Sequence, residues 1–270
     1  KSKAYVGLAG DPACSTAMFE LVLDGSVTAD RLSAVATPGG TGAVRQALEL
    51  IKIASPAAKV WLSNPTWPNH PSIVNYLGMP LAEYRYFDTE TGSVDFEGML
   101  ADIKAIPAGD IVLLHGCCHN PTGADLSHEQ WDQIADLALE RGFIPFIDTA
   151  YQGLGDGLDE DAYGMRMMAD RLPELVIASS CSKNFGLYRE RTGSITFIAK
   201  NSQQAEIVAS QAMSIARQIY SMPPAHGALL VSLILGDQQL RANWQAELEE
   251  VRLRIKSMRT LLTNGIPGNS

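Results

Sequence analysis

No apolar run in the 270 residues approaches the ~18 that a membrane-spanning helix needs. Basic residues are outnumbered, 21 Lys and Arg against 30 Asp and Glu, giving a formal charge of −9 with no basic block to offset it. A general nucleic-acid binder needs the opposite balance. Cysteine is scarce. Cys14, Cys117, Cys118 and Cys181 lack metal-site spacing, and adjacent Cys117 and Cys118 are a poor structural disulfide pair. They read as reduced thiols in a cytoplasmic protein. Repeats, low-complexity tracts and a signal-peptide pattern are absent, as are the G-x-G-x-x-G fingerprint and the Gly-Lys-Ser/Thr ending of a Walker loop. An initiator Met is also lacking. The opening "KSKAYVGLAGDP" is already patterned like a fold interior, and "LLTNGIPGNS" follows a long helix, so the expectation is an internal segment of a longer chain.

What is present is ordinary globular material, 46% hydrophobic and 19% charged. Short apolar runs at 59–63, 111–115, 143–148, 175–179 and 194–199 predict strands covered on both faces. Helical patterns occupy 42–54, 127–141, 203–217 and 240–262. The second is the best marked: Ser127 and Gln130 form a capping box, Trp131, Ile134, Ala135 and Ala138 share a face, and Gly142 closes it. This alternation predicts an α/β fold with a mainly parallel central sheet and helices on both faces. Ligands of such sheets sit beyond the carboxyl ends of the strands.

Chemistry-bearing residues gather at those strand ends. "ATPGGTGAVRQAL" (36–48) places glycines before a helix, either a plain turn or a cradle of N–H groups for an anion. "FIPFIDTAYQG" (143–153) ends an apolar strand in Asp148, then Tyr151; the carboxylate either caps the turn or needs a buried cationic partner. "LLHGCCHNPTG" (113–123) brings His115, His119 and Asn120. Its two histidines would share a face on a helix, but the segment reads as strand and turn, which argues against a metal site. Trp67 and His70 stand in "NPTWPNH" (64–70). The run Leu175–Ile177 leads to Lys183 and then to Arg191 in "ASSCSKNFGLYRERTG" (178–193). An amine, a phosphate cradle, a buried carboxylate, a phenol, an amide and an aromatic plate together match what pyridoxal phosphate requires.

The motifs "SCSKNFGLYRERTG", "HGCCHNPTG", "DTAYQG", "TPGGTGA", "NPTWPNH" and "YSMPPAHG" resemble, in order and spacing, the class I aspartate/aromatic aminotransferases of fold type I. "YRYFDTETGSVDFEGM" and "GDGLDEDAYG" look more like the aromatic branch. The resemblance covers essentially the whole chain. It implies pyridoxal 5′-phosphate as cofactor and transamination between an aromatic or dicarboxylic amino acid and 2-oxoglutarate. It makes Lys183 the cofactor-linked lysine and proton carrier, and Asp148 the partner of the ring nitrogen. Tyr151 and Asn120 would hydrogen-bond the ring oxygen, Gly40, Thr41, Ser180 and Arg191 would hold the phosphate, and Trp67 would stack on the ring. His70 would back Asp148, with His115 alongside. A homodimer is implied, in which Tyr5 reaches the neighbouring subunit's phosphate and Arg217 binds a dicarboxylate's distal carboxylate across the interface. Trp67 and Asn120 would also touch substrate. Ile219 and Met222 replace the asparagines of aspartate-specific relatives. Residues 1–270 would then be the large cofactor domain, with the family's N-terminal segment, its small domain and the α-carboxylate arginine outside. Other pyridoxal-phosphate chemistry (elimination or decarboxylation) and a non-catalytic fragment remain as alternatives.

Overall fold

The computed structural model describes residues 4–265. Nine strands occur among them: β1 (Leu32–Pro38), β2 (Val60–Asn64), β3 (Leu81–Arg85), the short pair β4 (Phe87–Asp88) and β5 (Ser93–Val94), β6 (Ile111–His115), β7 (Ile144–Thr149), β8 (Leu175–Ser180) and β9 (Thr192–Ile198). The helices are α1 (Pro12–Leu23), α2 (Gly39–Ala54), α3 (Asn69–Tyr76), α4 (Phe96–Ile103), α5 (His128–Arg141), α6 (Tyr163–Arg171), α7 (Ser202–Ile219), α8 (Ala225–Gly236) and α9 (Gln238–Gly265). Seven strands form one sheet in the order β1-β9-β8-β7-β6-β2-β3. Only β9 runs antiparallel to its neighbours, so the predicted mainly parallel sheet is present.

Both faces are covered. On one, Ile147, Ile177 and Ile198 pack with residues of α1, α4, α5, α6, α8 and α9. On the other, Phe146, Ala178 and Ile195 pack with α2, α3 and α7. The apolar runs of the inner strands follow from this double burial. The α5 capping box forms as the sequence predicts, with Gln130 N–H on Ser127 Oγ and Ser127 N–H on Gln130 Oε1. Gly142 closes the helix at φ 75.

Two corrections follow. Helix α2 begins at Gly39, three residues before the predicted start, because the glycine stretch is itself the first helical turn. Strands β1 and β3 and helices α1, α3, α4, α6 and α8 carry no expectation from the sequence. The physical reason is periodicity: β1 (Leu-Ser-Ala-Val-Ala-Thr-Pro) mixes small and polar residues, and α1 and α8 are apolar around most of their circumference.

Candidate active site

The strand ends assemble a cleft. Residues His115, Asp148 and Ala178 lie in adjacent register on β6, β7 and β8, and β1 ends beside them at Pro38, paired with Thr192. Because β1 runs parallel to β8, its carboxyl end delivers the first turn of α2 to the same side. The first four N–H groups of a helix have no partner within it, so this turn presents donors and positive potential. A cavity of about 190 Å³ lies there, lined by Lys183, Asp148, Tyr151, Asn120, Trp67 and His115 around its middle and by Gly40, Thr41, Ser180 and Arg191 at the α2 end. Lys183 and Asp148 therefore share one cleft. Cys117, Ser182 and Tyr188 also line it. Each falls inside a motif quoted above.

The α2 end is tightly shaped. A Cβ on Gly39 would come within 2.5 Å of Arg191 Nη2, and one on Gly40 within 2.9 Å of Ser180 Cβ. Arg191 itself holds φ 52 and donates to the Tyr188 carbonyl at 3.1 Å. A left-handed residue with a long side chain is strained, and such strain concentrates at functional sites. Elsewhere in the cavity the Lys183 amine stands over the Tyr151 ring at 4.9 Å. Burial lowers the Lys183 pKa and the Arg191 charge adds to this, while Asp148 opposes it. Burial also raises the Tyr151 pKa, as does the Asp148 charge, against the lowering effect of the Asn120 side chain.

Behind Asp148 runs a hydrogen-bonded chain whose direction can be derived. Asn120 N–H donates to His115 Nδ1 at 3.3 Å, so that nitrogen is an acceptor. Burial holds His115 well below the usual histidine range, so the ring is neutral and its Nε2 carries the proton. His115 Nε2 therefore donates to Thr66 Oγ1 at 3.1 Å, and the Thr66 hydroxyl donates to His70 Nδ1 at 2.9 Å. His70, fully buried, then turns its Nε2–H to Asp148 Oδ2 at 2.9 Å. Asp148 Oδ2 is thus the acceptor at the end of the chain. Thr66, unassigned from the sequence although it lies in "NPTWPNH", is the hinge of the chain. His119 stacks between Tyr86 and His115, each at 4.0 Å between ring centroids, and contacts Ser63 and Thr122 through its two nitrogens. His115 and His119 are thus taken up in stacking and hydrogen bonds, and no group of three or more possible metal ligands occurs among the described residues.

Two predicted residues stand apart. Tyr5 is 90% exposed, and Arg217, at the end of α7, is exposed and outside the cavity lining. Neither is brought to Lys183 within this chain. All four cysteines are free. No helix among the described residues is long and apolar enough to cross a membrane.

Comparison with known proteins gives a consistent result. The family model for aminotransferase class I and II matches residues 1–267. An aromatic-amino-acid aminotransferase of Paracoccus denitrificans is 52% identical over 261 residues, covering 97% of this chain and 66% of its own length. An aspartate aminotransferase of Haemophilus influenzae is 51% identical over 235 residues, 87% of this chain and 59% of that protein. The crystal structure of an aromatic-amino-acid aminotransferase from Burkholderia pseudomallei, covalently bound to pyridoxal phosphate, superposes with a TM-score of 0.95 at 37% identity, covering 98% of this chain and 67% of that one. The chain thus spans about two thirds or less of the length of these relatives.

Proposed function

We infer the function from one premise, that this chain belongs to the class I and II aminotransferase family. We propose that it is the large cofactor-binding domain of an aromatic-amino-acid and dicarboxylate aminotransferase, cytoplasmic and active as a homodimer. The observation that carries the proposal is the single cavity lined by Lys183, Asp148, Tyr151 and Arg191 at the sheet's strand ends.

Pyridoxal phosphate fits this donor set. The α2 amides, Thr41, Ser180 and the Arg191 guanidinium are complementary to a phosphate dianion. The closeness of Gly39 and Gly40 to Arg191 and Ser180 means that side chains there would fill the cradle. Bound there, the group supplies an aldehyde that condenses with an amine and a protonated ring that draws electrons from the substrate's α-carbon. The residues do the rest. Asp148, oriented by the directed chain from Asn120 through His115, Thr66 and His70, would pair with the ring nitrogen. Tyr151 and Asn120 would donate to the ring oxygen, and Trp67 would cover the ring face. Lys183, with its pKa lowered by burial, is neutral in a larger fraction than a free lysine at ~10.4, and can carry a proton between carbon positions.

Lys183→Ala should abolish the visible absorbance of lysine-bound cofactor and nearly all turnover, since it removes both the covalent anchor and the proton carrier. Near-normal turnover would overturn the assignment. Bleaching of that absorbance by an amino acid, with release of the matching 2-oxo acid, separates transamination from decarboxylation and from mere cofactor binding. In a protein of the relatives' full length, Arg217→Leu should cost aspartate and glutamate roughly two to three orders of magnitude in kcat/KM, the cost of breaking a desolvated ion pair. Phenylalanine and tyrosine should lose little. Equal losses would make Arg217 structural.

A further inference from the structure

We propose that Ser221 is a positioning residue for Arg217, holding the guanidinium ready for the distal carboxylate of a dicarboxylic substrate. This rests on the reading of Arg217 given above. Helix α7 ends at Ile219, and Tyr220 is its cap. The next residue, Ser221, has φ 66 and is the centre of a three-residue turn closed by Met222 N–H on the Tyr220 carbonyl at 2.8 Å. A γ-turn with positive central φ is rare and strained, and the left-handed residue after a helix is commonly glycine. Serine adds a Cβ that this backbone disfavours, so a gain is required elsewhere.

The gain is visible in the hydroxyl's contact. Arg217 Nη1 donates to Ser221 Oγ at 2.6 Å. A glycine would satisfy the turn and offer the guanidinium nothing. The turn is itself clamped to the core, because the Tyr220 hydroxyl reaches Gln46 Oε1 at 2.6 Å and the Ala36 carbonyl at 3.2 Å. The backbone that carries Ser221 is therefore anchored. A long arginine tethered to the Ser221 hydroxyl loses rotamer freedom before substrate arrives, which lowers the ordering cost of binding. The tether takes one N–H on one edge of the guanidinium and leaves other donors for a carboxylate.

The test uses a full-length protein and compares aspartate with phenylalanine. Ser221→Ala keeps the Cβ and removes the acceptor; Ser221→Gly also removes the strain; Ser221→Asn tolerates left-handed backbone and returns an oxygen acceptor. Alanine and glycine should raise the KM for aspartate roughly tenfold or more, the scale of a hydrogen bond to a charged group, with kcat held. In the half-reaction with the amino acid alone, where no dicarboxylic oxo acid enters, phenylalanine constants should stay unchanged, and asparagine should restore part of the aspartate affinity. The glycine variant should melt no lower than the alanine variant, yet share its selectivity defect. A purely structural serine would behave otherwise: glycine would keep the aspartate/phenylalanine ratio, or alanine would depress both substrates alike, and either result overturns the inference. Arg217→Leu is measured in parallel. Selective aspartate loss there, with none in Ser221→Ala, removes the Ser221 role and leaves that of Arg217. No selective loss in Arg217→Leu removes the Arg217 reading itself.

Discussion

His119 is 2% exposed, and burial, with the neighbouring His70, lowers its pKa to about 4. The unfolded chain would titrate near ~6.5. A depressed folded pKa gives stability that is fully present above the unfolded value and lost as pH falls toward the folded one, because the unfolded state binds the proton first. His119 should therefore withdraw on the order of 3 kcal/mol between about pH 6.5 and pH 4. Urea titrations of His119→Gln across that range should show a flatter acid limb than the unsubstituted chain, whatever the offset at pH 7. An unchanged slope would mean that His119 opens to solvent before it protonates. At this scale the sequence was most legible where a residue's chemistry was unusual for its place, as with Lys183 after a buried strand or Asp148 at a strand end. Thr66 was not legible, since a threonine between two prolines carries no sign that two histidines converge on it from 4 and 49 positions away. Tyr5 and Arg217 are a different case: their proposed roles need a second chain.

At the scale of elements, strong periodicity and good caps predicted α5 nearly to the residue, whereas α6 beside it went unread. Part of the reason is Gly164, which breaks an otherwise helical pattern. In the fold it lies against the Trp131 ring, where an added Cβ would approach Cδ2 to 2.4 Å. The glycine thus sets how closely α5 and α6 approach. Gly164→Ala should gain up to ~1 kcal/mol in helix propensity and lose more to overpacking against a buried indole, typically ~1–3 kcal/mol. A net loss in denaturant stability is expected, with a shift in Trp131 fluorescence. A net gain would show that α6 slides without resistance. The directed hydrogen-bond chain likewise belongs to elements: α3, β6 and β7 each supply one member, and the register pairing His115 with Asp148 makes them neighbours.

Over the whole molecule, packing is uneven, and α9 shows where it runs out. Its first half is tied to the body: Trp244 stacks on Phe185 at 4.4 Å and donates to the Asn184 carbonyl at 2.8 Å, next to Lys183. Leu248 is buried as well. Beyond it, Leu253, Leu261 and Leu262 are 53%, 59% and 64% exposed, and the Lys256–Asp156 ion pair is a tether between exposed groups. A surface pair of this kind contributes ~0–1 kcal/mol, and an isolated helical segment of this length is marginal in water without an apolar face to bury. The pattern read from the sequence, a long helix over 240–262, was right in extent and silent about this division, because periodicity reports which face is apolar and not what covers it. In the 270-residue chain taken alone, amide exchange should therefore split along one helix. Amides around Trp244 and Leu248 should exchange only through opening of the core, and those from about Met258 onward through local fraying with little protection. Adding pyridoxal phosphate should slow the first group through linkage to the Lys183 loop and leave the second unchanged. Uniform protection along α9 would mean that the isolated chain covers Leu253, Leu261 and Leu262 by self-association, and exchange that varies with protein concentration would identify that state.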